Sequence, residues 1–190
     1  MIPIMNHATQ PATSRMPDTP EADRTGRTGG AAEPQPDQEA KFRRVRIRRA
    51  VEDDVCDVID IDHRVTGIAK PDYWRDIFDR YGNRRLEERF FLVAQSEADD
   101  TLLGFVIGEV RAWEFGSEPC GWLFALSVDP EARQEHVGEQ LFEALSERFR
   151  QAGIGTMRTM VSRDSPQVLA FFRGEGMMAG RYFQLEKSLD

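Results

Sequence analysis

From Lys41 onward, apolar and polar residues alternate or recur at regular spacings, and the breaks fall at turn-forming residues. Phe42 to Arg48 alternates and predicts a half-buried strand. The acidic run Glu52-Asp53-Asp54 then opens a helix with the apolar stripe Val55, Val58 and Ile59, its carboxylates placed at the positive end of the helix dipole. His63 to Lys70 reads as a break. Pro71 suits the first turn of a second helix, Asp72 to Tyr81, with Trp74, Ile77, Phe78 and Tyr81 on one face and Gly82 just past its end.

Three strands are predicted next: Phe90 to Gln95, Leu102 to Ala112 after the Asp99-Asp100 turn, and Gly121 to Val128 after the loop around Gly116. Between Val137 and Gln151, the residues Val137, Leu141, Phe142, Leu145 and Phe149 recur at helical spacing, closed by Gly153. Thr156 to Val161 follows as a strand. Ser165-Pro166 supplies a cap and a first-turn proline for a helix over Gln167 to Glu175, stopped by Gly176, and Tyr182 to Leu185 reads as a closing strand. Three consecutive strands with tight connections predict an antiparallel meander, and the strand-helix-strand unit after them predicts a parallel crossover. The fold class is therefore α/β, a mixed and mainly antiparallel sheet flanked by helices.

Residues 1 to 40 differ from the rest. They hold six of the ten prolines and lack apolar periodicity from Pro11 on, so they bury too little surface to offset the entropy of ordering. This segment is expected to be a disordered tail, either solvated or used as a docking arm, and residues 41 to 190 to be one domain. The opening Met1-Ile2-Pro3-Ile4-Met5 is too short for a signal peptide.

Composition narrows the function. With 190 residues the chain has room for one catalytic or binding unit. A mean hydropathy of -0.53 accompanies the absence of an apolar run long enough to span a bilayer, so no membrane role is expected. The formal net charge of -8 disfavours nucleic acid as a partner, since phosphate binding needs a basic surface. Cys56 and Cys120 form no disulfide framework and read as packing residues, and His7, His63 and His136 lack metal-ligand spacing. A reducing cytoplasm and no metal are the expectations.

The chemistry concentrates between Leu126 and Leu141. A strand ends at Val128, the turn Asp129-Pro130 follows, and a helix starts near Val137, so unpaired backbone N–H groups and a positive helix end converge on one spot suited to a diphosphate. The pattern Leu126-x-Val128-x-Pro130-x-x-Arg133-x-x-x-x-Gly138-x-x-Leu141 resembles the acyl-CoA-binding motif of the GNAT superfamily of N-acetyltransferases. Ser165 to Met177 is similar to the family's second motif, and the likeness covers about Phe42 to Lys187.

The resemblance implies a central pair of strands splayed apart, with acetyl-CoA as co-substrate. Leu126, Ser127 and Val128 would then line the pantetheine arm, and Arg133, Gln134, Glu135, His136, Val137, Gly138 and Glu139 would cradle the pyrophosphate. Backbone N–H groups at the splay would polarise the thioester carbonyl. The acceptor would be a primary amine, a small molecule or a protein lysine, attacking directly without an acyl-enzyme. A silent acyl-CoA-binding or scaffold module with a partner-docking tail is the alternative.

Several positions depart from the family pattern. His136 replaces the first glycine of the loop motif, either as a solvent-facing residue or as a donor to a CoA phosphate. Glu135 and Glu139 bring negative charge to the loop, with Arg133 offsetting part of it. Ser165 and Phe172 stand where many members carry an Asn and a proton-donating Tyr; Ser165 is read as a helix cap, and Phe171, Phe172 and Met177 as core. No catalytic residue is assigned. Glu109, Glu114 and Glu118 are the carboxylates to test as a base, each with a solvated role as the alternative. The segment His63 to Trp74 has groups that could frame an acceptor pocket, although Tyr73 and Trp74 also suit the helix pair. Asp53, Asp54, Asp57, Asp60 and Asp62 make the first helix acidic, which suits a basic acceptor or a solvated face.

Overall fold

The computed structural model describes residues 43–189. The expected tail and Phe42 lie outside them. Five strands, β1 (Val45–Arg49), β2 (Arg89–Ser96), β3 (Leu102–Arg111), β4 (Cys120–Val128) and β5 (Met157–Arg158), pair in chain order. The first three pairings are antiparallel and β4 with β5 is parallel. The helices are α1 (Val55–Thr66), α2 (Pro71–Tyr81), α3 (Val137–Gln151) and α4 (Pro166–Gly174). Among the described residues, no helix is long and apolar enough to cross a membrane.

The sheet buries both faces, so β2 and β3 read as nearly continuous apolar runs. Phe90, Leu92 and Ala94 of β2 point to one side, where Val137, Leu141, Leu145 and Phe149 of α3 and Phe172 of α4 cover them. Phe91 and Val93 point to the other, under Val58 and Ile61 of α1 and Trp74, Ile77 and Phe78 of α2. Each of the buried Val, Leu, Ile and Phe side chains contributes about 1.5–3 kcal/mol by leaving water.

The start of α1 is held by an ion pair. Arg48 donates to both carboxylate oxygens of Asp54 at 2.6 and 2.8 Å, and the Val51 N–H donates to Asp54 at 2.7 Å. Burial alone would raise the Asp54 carboxyl, but these hydrogen bonds and the Arg48 charge outweigh it and hold the group below its ordinary value.

Four sequence expectations are corrected. Residues 52–54 form a short 3-10 turn, and α1 extends into the first part of the expected break, to Thr66, so that the break is confined to 67–70 and opens at Gly67 with φ +74°, a left-handed conformation that glycine adopts without penalty. The strand expected over Thr156 to Val161 is reduced to Met157 and Arg158. No strand forms over Tyr182 to Leu185: residues 177–189 lie outside helix and strand, with Phe183 and Leu185 each 92% exposed. The edge that segment would join, β5, is two residues long and offers too few hydrogen bonds to offset the ordering cost. Finally, Cys56 is exposed on α1, while Cys120 is buried as expected.

Candidate functional site

A parting of β4 from β5 creates the site. The two strands pair only at Gly121 with Met157 and Trp122 with Arg158. The Gly121 N–H donates to the Thr156 carbonyl at 2.9 Å, and a bond from the Thr159 hydroxyl to the Leu123 carbonyl at 2.8 Å closes the shared stretch. Beyond it the β5 side of β4 has no strand partner among the described residues.

A bulge in β4 shapes what this open edge presents. Ile107 pairs with Ala125 and Gly108 with Leu123, so Phe124 is the extra residue. Phe124 and Ala125 both pack on the α1–α2 side, whereas Leu126 and Val128 pack on the α3 side. The result is a groove of about 370 Å³ between the parted strands, walled by Phe124, Leu126, Ser127, Met160 and Phe172.

At the far end of β4 the chain turns into α3. Asp129 accepts from the Glu131 N–H at 3.0 Å and from Arg64 of α1 at 2.5 Å, which ties the helix layer to the end of the strand. Gln134 and His136 take left-handed φ values of +67° and +59°. His136 thereby adopts the conformation that a glycine would supply more cheaply. The first helical hydrogen bond is Gln140 N–H to His136 C=O at 3.3 Å, so the N–H groups of Val137, Gly138 and Glu139 are left at the helix start for an external acceptor. Arg133, four residues before α3, is exposed. Glu135 is turned to Arg43 at 3.2 Å, and Glu139 lies 3.3 Å from His136 Nδ1. Arg43 thus meets part of the expected carboxylate repulsion, at Glu135. Gly138 faces Phe171, whose Cε2 would lie 3.3 Å from an added Cβ.

The α1–α2 side of the groove holds a polar cluster that the sequence reading placed only within a general acidic face. Asp62 is 4% exposed. It accepts from the Trp74 indole at 2.8 Å and from Lys70 Nζ at 2.9 Å to one oxygen and 3.2 Å to the other. Tyr73 borders the same groove. The signal in the sequence was present but mute: Asp62 follows Val55, Val58 and Ile61 on the buried stripe, where a carboxylate is out of place.

The glutamates proposed as bases lie elsewhere. Glu109 accepts from the Tyr81 hydroxyl and from Arg111 Nε, each at 2.9 Å, with Arg89 3.8 Å away. Burial, together with this carboxylate, pushes the Tyr81 phenol up to about 12, so it stays a donor. Glu114 and Glu118 are exposed in the β3–β4 connection. None of the three lines the groove.

The model of the acetyltransferase (GNAT) family matches residues 55–177 of this chain. The chain belongs to the GNAT family. It is 30% identical over 102 residues to mycothiol acetyltransferase of Kocuria rhizophila (strain ATCC 9341), a match covering 53% of this chain but 34% of that protein. The chain therefore spans about a third of the length of that relative. Among solved structures, an aminoglycoside N-acetyltransferase in complex with CoA superposes with a TM-score of 0.67 at 16% identity, over 78% of this chain and 97% of its own. Glucosamine-6-phosphate N-acetyltransferase from Arabidopsis thaliana gives 0.61 at 16%, over 77% and 99%.

Within the GNAT frame, two departures acquire a structural meaning. Ser165 occupies the cap position of α4, but its side chain makes no capping hydrogen bond, so its expected capping role is not realised. Phe172 is 7% exposed and borders the groove, its ring 5.2 Å from Phe171 and 6.1 Å from Phe142. It is core and groove wall at once, and it has no proton to give.

Proposed function

We propose that this chain transfers an acetyl group from acetyl-CoA to a primary amine by direct attack. The observation that carries the reading is the open β4 edge leading straight to the free N–H groups at the start of α3. An extended pantetheine arm can pair with the unpartnered edge at Leu126, Ser127 and Val128 as an added strand would. A pyrophosphate suits the Val137–Glu139 amides and the Arg133 guanidinium, with Gln134, Glu135 and His136 shaping the loop. The Arg43 contact on Glu135 favours this fit, because it directs that carboxylate away from a dianion.

In the transfer, the amine nitrogen forms a bond to the carbonyl carbon, and the carbon–sulfur bond breaks. The amine proton passes to solvent or a base, and the thiolate takes up a proton. Phe172 cannot serve as that acid, so water fills the role; a thiolate with a pKa near ~8.5, with cysteine as reference, tolerates this at neutral pH. A protein lysine as acceptor rests on the family's chemistry and the acidic charge alone.

The test is calorimetric titration of the full chain with acetyl-CoA and CoA, followed by thiol release against pooled small amines and lysine peptides. Binding with turnover supports the transferase. Binding without turnover favours the silent CoA-binding module, a reading that Phe172 and the absence of Glu109, Glu114 and Glu118 from the groove keep open. No binding overturns both.

A further inference from the structure

We propose that Asp62 anchors a second, cationic group of the acceptor, and that Lys70 holds this anchor until the acceptor displaces it. The inference rests on the transfer reading and names the acceptor class: amines with a further positive charge, such as diamines or polyamino compounds.

The Asp62 carboxylate is almost fully buried, and a buried charge persists only when paired. Trp74 fixes one oxygen from inside the protein; its indole is 3% exposed and held edge-on to Phe105 at 5.0 Å. Lys70 supplies the countercharge from the groove side. Its side chain is 34% exposed, it reaches Asp62 from the residue preceding α2, and its ammonium stands 6.0 Å from the Trp74 ring.

These two partners are not equivalent. Removing the indole would require unpacking the core. Withdrawing Lys70 requires only that a flexible four-carbon stem swing into solvent, where it regains rotamer freedom. An incoming ammonium then replaces one cation by another on the same carboxylate, over the same aromatic ring, without leaving Asp62 unpaired. Asp62 and Lys70 are the charged residues among those lining the groove. With Lys70 withdrawn, the groove carries one negative charge and selects against acidic acceptors.

The held group is not the nucleophile. A carboxylate partner stabilises the protonated amine, and a protonated amine cannot attack a thioester. An acceptor that benefits from Asp62 therefore carries one ammonium for the anchor and a second amine, deprotonated, for the acetyl group.

Cadaverine, pentylamine and 1,5-pentanediol separate these roles on the full chain. The Trp74 indole N–H resonance reports binding at Asp62 directly. It should shift with cadaverine and not with pentanediol. Lys70→Met should lower the half-saturating cadaverine concentration about threefold, the factor expected for a partly exposed ion pair. Asp62→Asn, which keeps an acceptor for the indole, should raise that concentration about tenfold or more. In thiol-release assays with acetyl-CoA, the same variants should move the KM for cadaverine in those directions with kcat little changed, and Asp62→Asn should erase the preference for cadaverine over pentylamine. An unmoved indole, or an Asp62→Asn variant that binds cadaverine as the parent does, overturns the anchor even if acetyl transfer is observed. A shifted indole with no turnover of any amine overturns the transfer reading and leaves the anchor standing.

Discussion

The ring of Phe149 lies flat on Gly121. A Cβ built on Gly121 would stand 2.5 Å from the Phe149 ring, and one built on Gly108 of the neighbouring strand would stand 2.8 Å from it. Phe149 is 2% exposed and also meets Phe90 edge-on at 5.5 Å. The contact seats the end of α3 over the short stretch where β4 still pairs with β5. Gly121→Ala is expected to destabilise the protein by about 1–3 kcal/mol through overpacking. Its cost should shrink in a Phe149→Leu background, a coupling that a double-mutant cycle in denaturant measures.

At His136 the backbone is left-handed, which costs a residue with a Cβ about 1–2 kcal/mol relative to glycine. His136→Ala keeps that cost and loses the contact with Glu139, whereas His136→Gly loses the contact and removes the cost. Chemical denaturation should therefore rank Ala below Gly. The opposite order would mean that the left-handed φ at this position carries no net cost for a residue with a Cβ.

Arg133 is an exposed cation four residues before the α3 amides. Arg133→Glu should weaken acetyl-CoA binding about tenfold, more than Arg133→Ala does, and the difference should narrow as salt is added. Titration calorimetry at two ionic strengths checks both points. An affinity indifferent to this residue would place the diphosphate elsewhere.

The Arg48–Asp54 pair carries a pH signature. Asp54 is held below its ordinary value in the folded state, so its contribution is fully present above the unfolded carboxyl pKa of about 3.9 and is lost as pH falls through the lower folded value. Asp54→Asn should cost about 1–3 kcal/mol at neutral pH. It should also flatten the fall in stability below about pH 4, which thermal melts across that range would show.

Phe172→Tyr restores a phenol at the groove wall, beside Phe142 and Phe171. If protonation of the leaving thiolate limits turnover, kcat should rise toward the 10²-fold that a modest general acid supplies. If amine attack is the slow step, kcat should stay within a few-fold. Steady-state rates of the two proteins with one amine distinguish the cases.

Much of the architecture was legible in local patterns. The α3 stripe, the proline at the start of α2 and the alternating β1 depend on contacts within a few residues, where spacing along the chain equals spacing in space. The turn from Val128 to Val137 was legible for the same reason. Strand pairing was less so. Thr156–Val161 and Tyr182–Leu185 have strand-like composition, yet a strand exists only where an edge receives it, and here β4 and β5 part after two residue pairs.

The polar half of the site was decided by tertiary structure alone. In sequence, Asp62 is one carboxylate among several in an acidic helix, and Glu109 looks equally available. Packing assigns them opposite surroundings. Glu109 is engaged by Tyr81, Arg111 and Arg89, away from the groove, while Asp62 is buried at the groove with Trp74 behind it and Lys70 in front. Sequence spacing specifies which face of an element a residue occupies, but the partners of a charge come from other elements, and they enter only when the helices close over the sheet.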